Sequence, residues 1–168
     1  MDCNPELIAA AQNNTAKLGF SDRFALHTGE LADTRFLENL RMEASPVQLV
    51  MANPPWRLVG SGRLPATEAR RKALFGDKGT FPLFASAASS LLEEDGRFAC
   101  IISPDRLQDM LAALDGAGLT PYLLQYIHKQ KTSPATFVLI EARKGAHAKP
   151  SVAEPIALYG PERFFTLE

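Results

Sequence analysis

The run Leu49-Val50-Met51-Ala52 stops at Asn53-Pro54-Pro55-Trp56. Asn53 carries an amide side chain that can accept as well as donate hydrogen bonds. A proline follows it, so its backbone is held extended and cannot enter a helix. Pro54 and Pro55 lack N–H groups and have fixed φ, which makes the turn stiff and leaves its carbonyls bare. Trp56 adds a flat, polarisable ring. The chemistry open to these four residues is hydrogen-bond acceptance beside an aromatic plate. Such a turn can also do no more than end a strand.

The stretch behind the turn is rich in cations. Arg57, Arg63, Arg70, Arg71, Lys72 and Lys78 face only Glu68 and Asp77. A cluster of this kind suits phosphate contacts, which give position and salt-dependent affinity. His128, Lys129 and Lys131 form a second basic group. His27, His128 and His147 are scattered along the chain, and Cys3 and Cys100 lack metal-ligand spacing, so no metal site is expected. Cys100 lies in an apolar run and reads as a small core residue.

The chain has 168 residues, a net charge of −1, 46% hydrophobic and 22% charged residues. That is enough for one domain with its own core, and ordinary for a globular cytosolic protein. A near-zero net charge excludes a global basic field, so any nucleic-acid site must be a local patch. No stretch approaches the length of a membrane span, and Met1-Asp2-Cys3-Asn4 does not open a signal peptide.

The elements that must position the turn follow from local signals. Asn4-Pro5-Glu6 starts a helix that Gly19 ends, with Leu7, Ile8, Ala11 and Leu18 at helical spacing. Phe24–Thr28 reads as a strand, and Phe36, Leu37 and Leu40 as a short helix. Val47–Ala52, without alternation, reads as a strand buried on both faces. Arg57–Lys78 is a long loop with one helical turn near Thr67–Leu74. Thr80 is the expected cap of the next helix, with Phe84, Ala87, Ala88, Leu91 and Leu92 inward and Gly96 as its stop. Phe98–Ile102 is a strand, and Asp105 the expected cap of a helix ended by Gly116 and Gly118. Tyr122–Ile127 and Thr136–Glu141 are strands joined by a short turn, hence antiparallel neighbours. Pro155–Tyr159 can add a small edge strand. Alternating strands and helices imply an α/β parallel sheet closed by an antiparallel hairpin. In such sheets ligands bind at the carboxyl ends of the strands, which is where Asn53 lies.

Asn53-Pro54-Pro55-Trp56 resembles the (Asp/Asn/Ser)-Pro-Pro-(Tyr/Phe/Trp) motif of S-adenosylmethionine-dependent amino-methyltransferases, which have a Rossmann-like class I fold with a C-terminal antiparallel hairpin. The resemblance implies that the Asn53 side-chain oxygen and the Pro54 carbonyl accept the two N–H groups of a target amino group. Pro55 completes the turn, and Trp56 stacks on the target ring. The acceptors favour a pyramidal nitrogen whose lone pair points at the methyl group, so positioning does the work. By the same resemblance Asp2 meets the cofactor ribose hydroxyls, Glu30 its adenine amino group, Leu31 and Asn53 also bind the cofactor, and Met51 and Ala52 would lie beside its sulfonium. Arg57, Arg63, Arg70, Arg71 and Lys72 would meet RNA.

Two further segments resemble the bacterial tRNA adenine amino-methyltransferases that act beside the anticodon of a valine tRNA. They are Pro65-Ala66-Thr67-Glu68-Ala69-Arg70 and Ser133–Gly145, the latter followed by Glu154–Tyr159. Other readings are a glutamine-directed protein methyltransferase, an rRNA guanine methyltransferase, or an inactive fragment. The family normally begins with a strand and an Asp-x-Gly-x-Gly-x-Gly turn, absent from this sequence. Met1–Glu6 resembles a later family segment, Val-Asp-Ile-Asn-Pro-Glu. The resemblance therefore implies one N-terminally shortened domain over 1–168, lacking the first strand, first helix and most of the second strand. Val47–Ala52 would then have an open edge.

Overall fold

Asn4 caps the first helix, α1 (Pro5–Lys17), its side-chain oxygen accepting the Glu6 N–H at 2.9 Å. The computed structural model describes residues 1–44, 46–58, 67–145 and 149–159. They divide into two compact units, Met1–Glu43 and Ala44–Glu168.

In the first unit Gly19, at φ +70°, follows the end of α1 as expected. None of the α1 residues is buried, and Leu7 is 53% exposed. Phe24–Thr28 does not form the expected strand. Among the described residues it pairs only through a parallel bridge between Asp2 and Thr28. The Asp2 N–H donates to the His27 carbonyl at 3.2 Å, and the Gly29 N–H to the Asp2 carbonyl at 3.1 Å. A ladder needs a partner of several residues, and Asp2 alone lies alongside. The second helix, α2 (Thr34–Glu43), is capped by Asp33, whose Oδ1 accepts the N–H groups of Arg35 and Phe36. The Phe36 ring lies so close to Gly29 that a Cβ there would collide with it.

The second unit begins with β1 (Val47–Ala52), within the expected bounds. Two short pieces follow, β2 (Arg57–Leu58) and, beyond the helix α3 (Glu68–Leu74), β3 (Phe75–Gly76). The β2–β3 pairing is parallel and only two residues long, too short to leave a periodicity. Thr67 caps α3, accepting the Arg70 N–H. Next come α4 (Thr80–Leu91), β4 (Leu92–Ile102), a 3₁₀ turn at Pro104–Arg106, and α5 (Leu107–Gly116). The chain continues through β5 (Leu119–His128), β6 (Ala135–Lys144), β7 (Ser151–Val152) and β8 (Ile156–Ala157).

The sheet order is β1-β4-β6-β5-β7, with β8 also on β5. β4 runs parallel to β1, while β6 is antiparallel to both β4 and β5. The carboxyl ends of β1, β4 and β5 therefore share one edge with the start of β6. That edge carries Asn53, Ser103 and the β5–β6 turn. Ser133 closes this turn, its Oγ donating to the Gln130 carbonyl and accepting the Gln130 N–H. Phe81, Ala85 and Ala88 of α4 pack with Met110 and Leu114 of α5 and with Phe98, Ile102, Val138 and Ile140 of the sheet.

Several local expectations need correction. β1 is not buried on both faces: Leu49 is 41% and Met51 76% exposed. It ends the sheet order, pairing among the described residues with β4 alone. Thr80 does not cap α4 but reaches back, its Oγ1 accepting the Asp77 N–H and donating to Asp77 Oδ1. Gly96 does not stop α4. It sits inside β4, and the helix passes directly into the strand at Leu92. Lys144 Nζ donates to the carbonyls of Ser89 and Leu92, both at 2.8 Å, and so satisfies a helix end that lacks a glycine cap. Asp105 falls within the 3₁₀ turn, and α5 begins without a side-chain cap.

Candidate active site

The four turn residues stay together at the carboxyl end of β1. Asn53 is exposed, Pro54 is fully buried, and Pro55 and Trp56 are half-buried. The prolines thus anchor the turn and leave the amide of Asn53 in the open. Gly76 of β3 presses on the turn from behind: a Cβ there would lie 2.7 Å from the Pro55 carbonyl oxygen. Only a residue without a side chain fits that approach.

Trp56 is held from three sides. Its ring meets Phe137 of β6 edge to face, with centroids 6.1 Å apart and planes at 73°. The Arg57 guanidinium lies 5.2 Å from the centre of the same ring. The Trp56 carbonyl accepts a hydrogen bond from Arg106 Nη1 at 2.7 Å. Neither Arg106, Phe137 nor Gly76 was singled out by sequence. Arg106 and Asp109 do stand three apart, the spacing of an ion pair on a helix. Phe137 is one of several apolar residues in a strand, and nothing local marks its contact with Trp56.

The adjoining strand end contributes Ser103, buried, with an Oγ that has no hydrogen-bond partner among the described residues. Cys100, two residues within β4, is buried as expected, and burial pushes its thiol up to about 12. It is an inert core group.

The first unit gathers the remaining expected cofactor residues. The bridge sets Asp2 beside Thr28, two residues before Glu30. Asp2 is half-buried and its Oδ1 accepts the Asn4 N–H at 2.8 Å. Glu30 is exposed, and its carbonyl accepts the Asp33 N–H, which turns the chain past half-buried Leu31.

Of the basic residues, Arg70 and Arg71 are exposed on α3. Lys72 lies on the same helix, with its side chain outside the described residues, and Arg63 lies outside them altogether. Arg57 is drawn to Trp56, as above. His128 Nδ1 lies 2.7 Å from the Ser133 carbonyl, and Lys129 and Lys131 are exposed in the β5–β6 turn, on the same edge of the sheet as Asn53. A cavity of about 410 Å³ opens there, lined by His128, Lys131, Glu154, Pro155, Ile156 and Ala157. No group of three or more His, Cys, Asp or Glu residues that could hold a metal ion occurs among the described residues. No helix among them is long and apolar enough to cross a membrane.

No family model matches the chain, and no curated protein matches it. Solved structures do resemble it. A protein from Agrobacterium tumefaciens, predicted to be an O-methyltransferase, superposes with a TM-score of 0.71 at 19% identity, over 97% of this chain and 70% of its own. An O-methyltransferase family 2 protein from Planctomyces limnophilus gives 0.52 at 16% identity, over 85% and 41%. A protein from Clostridium thermocellum, predicted to be an rRNA methylase, gives 0.52 at 20% identity, over 84% and 72%. The chain thus spans less than half the length of the Planctomyces protein and about seven-tenths of the other two. At these identities the likeness speaks for the fold: this chain has the Rossmann-like sheet of the class I methyltransferases, ending in the antiparallel β5–β6 hairpin.

Proposed function

We propose that this chain belongs to an S-adenosylmethionine-dependent enzyme that methylates the exocyclic amino group of a base in RNA, with an adenine of tRNA as the leading substrate. The observation that carries the reading is Asn53-Pro54-Pro55-Trp56 itself. It stands at the carboxyl end of a strand in a class I methyltransferase sheet, with its amide exposed and its aromatic ring braced. The resemblance of Pro65–Arg70 and Ser133–Gly145 to the valine-tRNA enzymes favours adenine in tRNA.

The donor set suits the cofactor. The Asp2 carboxylate keeps one oxygen beyond its bond to Asn4 for a ribose hydroxyl, and Glu30 is an exposed acceptor for an adenine amino group. S-adenosylmethionine, held by Asp2 and Glu30, would supply an electrophilic methyl group on a sulfonium. The exposed Asn53 side-chain oxygen would accept one N–H group of the target, and the Pro54 carbonyl, fully buried in the free chain, would accept the other only once the turn shifts to admit the base. Held in this way, the target nitrogen's lone pair would be drawn out of conjugation with the ring. Trp56 fixes the plane of the ring. The target nitrogen, once methylated, would shed one proton to solvent at the exposed Asn53. A base in a polynucleotide must be splayed out to reach this turn. The exposed Arg70, Arg71, Lys129 and Lys131 would supply the cations for the flanking phosphates.

A second reading, an rRNA base, is favoured by the likeness to the Clostridium protein. One experiment separates them: labelled cofactor is offered with total tRNA, rRNA and protein, followed by nucleoside and amino-acid analysis. Label on an adenine amino group in tRNA supports the leading reading, and label on an rRNA guanine supports the second. Label only on a glutamine amide or a hydroxyl defeats both. Absence of cofactor binding, by this chain and by a longer version alike, defeats the enzyme reading.

A further inference from the structure

We infer that Arg106 is a positioning residue for the Asn53–Trp56 turn, acting through the Trp56 carbonyl. The turn has few means of holding itself. The β1 ladder ends at Ala52, and two prolines in succession remove two N–H donors. The donor comes instead from the loop after β4. Arg106 is 4% exposed, and its guanidinium is fixed in three directions. Nη1 donates to the Trp56 carbonyl at 2.7 Å, Nε donates to Asp109 Oδ2 at 2.7 Å, and the group lies 4.5 Å from the centre of the Phe81 ring. The backbone N–H of Arg106 donates to the Ser103 carbonyl at 3.1 Å, tying the same residue to the end of β4. A planar fork held at one prong and along one face has its other prong fixed in direction.

The fork thus joins the ends of β1 and β4, the start of α5 and the core of α4 at one buried point. A charge this deep is costly unless its donors are used, and the Asp109 carboxylate balances it. Lysine could not replace it: one ammonium reaches the carbonyl or the carboxylate but does not fix the direction between them. The inference rests on the turn being the methyl-transfer site, but its first measurement does not.

Trp56 is the only tryptophan of the chain, so its fluorescence reports the turn alone. Acrylamide quenching is compared for the unaltered chain, Arg106→Gln, Arg106→Lys and Asp109→Asn, each checked for folding by circular dichroism. Loss of the fork should raise the quenching constant roughly two-fold in Arg106→Gln and less in Arg106→Lys, because the lost geometry is that of the guanidinium. Asp109→Asn, which keeps the guanidinium and lies on an exposed side chain, should give a smaller rise and still fold. In active enzyme the Arg106 variants should lower kcat about ten-fold, with cofactor affinity within about two-fold of the original. A general loss of stability would not produce that split. Unchanged quenching in the folded variants overturns the inference, and if the Arg106 variants do not fold, unchanged quenching in Asp109→Asn does so. Raised quenching with unchanged kcat overturns it as well. If the unaltered enzyme transfers no methyl group, the proposed function fails and the quenching result alone decides the role of Arg106.

Discussion

Trp56 reaches over the end of β4 to meet Phe137 edge to face, at 6.1 Å and 73°. The β4–β6 register pairs Ile102 with Val138, so Phe137 stands one step beyond the last paired residue of β6, toward the turn. The contact links the turn after β1 to the third strand of the sheet. Phe137→Ala should therefore act at a distance along the chain. Aromatic pairs contribute about 1 kcal/mol beyond their buried area. Thermal unfolding should shift down by a few degrees, and the Trp56 emission should move to the red. Phe137→Tyr, which keeps the edge contact, should change neither. An unshifted emission in Phe137→Ala would show that the ring does not hold Trp56.

Asn53 offers a cleaner separation of chemistry from folding. It is exposed, so Asn53→Ala should leave the melting temperature unchanged. Losing one preorganised acceptor should cost about 10²-fold in kcat. Cofactor affinity should change less, because Asn53 is proposed to act on the substrate amino group. Asn53→Asp keeps an acceptor oxygen and should retain more activity than Asn53→Ala. Equal turnover by the unaltered enzyme and Asn53→Ala would remove Asn53 from the mechanism.

The alternating order of helices and strands, the bounds of β1 and the antiparallel β5–β6 pairing were all readable in the sequence, because each rests on local period or turn chemistry. The Asn53–Trp56 turn was readable for the same reason: adjacent residues carry it. What surrounds the turn was not. Arg106 lies 50 positions from Trp56, and Gly76 is required by the carbonyl of Pro55, an approach made only once β3 folds back. The end of α4 was misplaced because Lys144, far along the chain, replaces the glycine cap that local rules expect. Phe24–Thr28 has the residue types of a strand, but among the described residues only Asp2 lies beside it to complete the pairing. Long-range partners are what local patterns omit.

Gly76→Ala tests the packing behind the turn. The added methyl would lie 2.7 Å from the Pro55 carbonyl oxygen and 2.6 Å from Thr80 Oγ1. One is backbone and the other is engaged with Asp77, so neither yields cheaply. Overpacking of this kind costs about 1–3 kcal/mol. Urea unfolding should show that loss, with a fall in kcat as the turn is displaced. A variant as stable and active as the original would show that β3 can move away freely.

Arg70 and Arg71, exposed on α3, are the described cations best placed to test RNA binding in the loop after the turn. Their joint replacement by Ala should weaken RNA binding and flatten its salt dependence. Each phosphate of a single strand that is no longer neutralised takes about 0.7 off the slope of log K against log salt. Reduced affinity with an unaltered slope would assign the effect to folding of α3 rather than to phosphate.

Cys100 predicts a pH dependence with a defined sign. Burial raises its thiol from the ordinary value of 9.0 to about 12, while the unfolded chain keeps the ordinary value. Between these limits the unfolded chain has lost the proton and the folded chain still holds it. Unfolding then releases a proton, so stability falls as pH rises above about 9, by up to about 1.4 kcal/mol per pH unit from this group. Below 9 both states hold the proton and the contribution is constant. Other groups titrate in the same window, so the readout is a difference: Cys100→Ala should be less stable at neutral pH, from the small cavity, but should lose less stability between pH 9 and 10.5. Thiol labelling checks the same point independently. Exposed Cys3 should react within seconds to minutes, whereas Cys100 should react only at the rate at which the sheet opens. Two thiols labelled at one rate in the folded protein would contradict the buried, protonated state of Cys100.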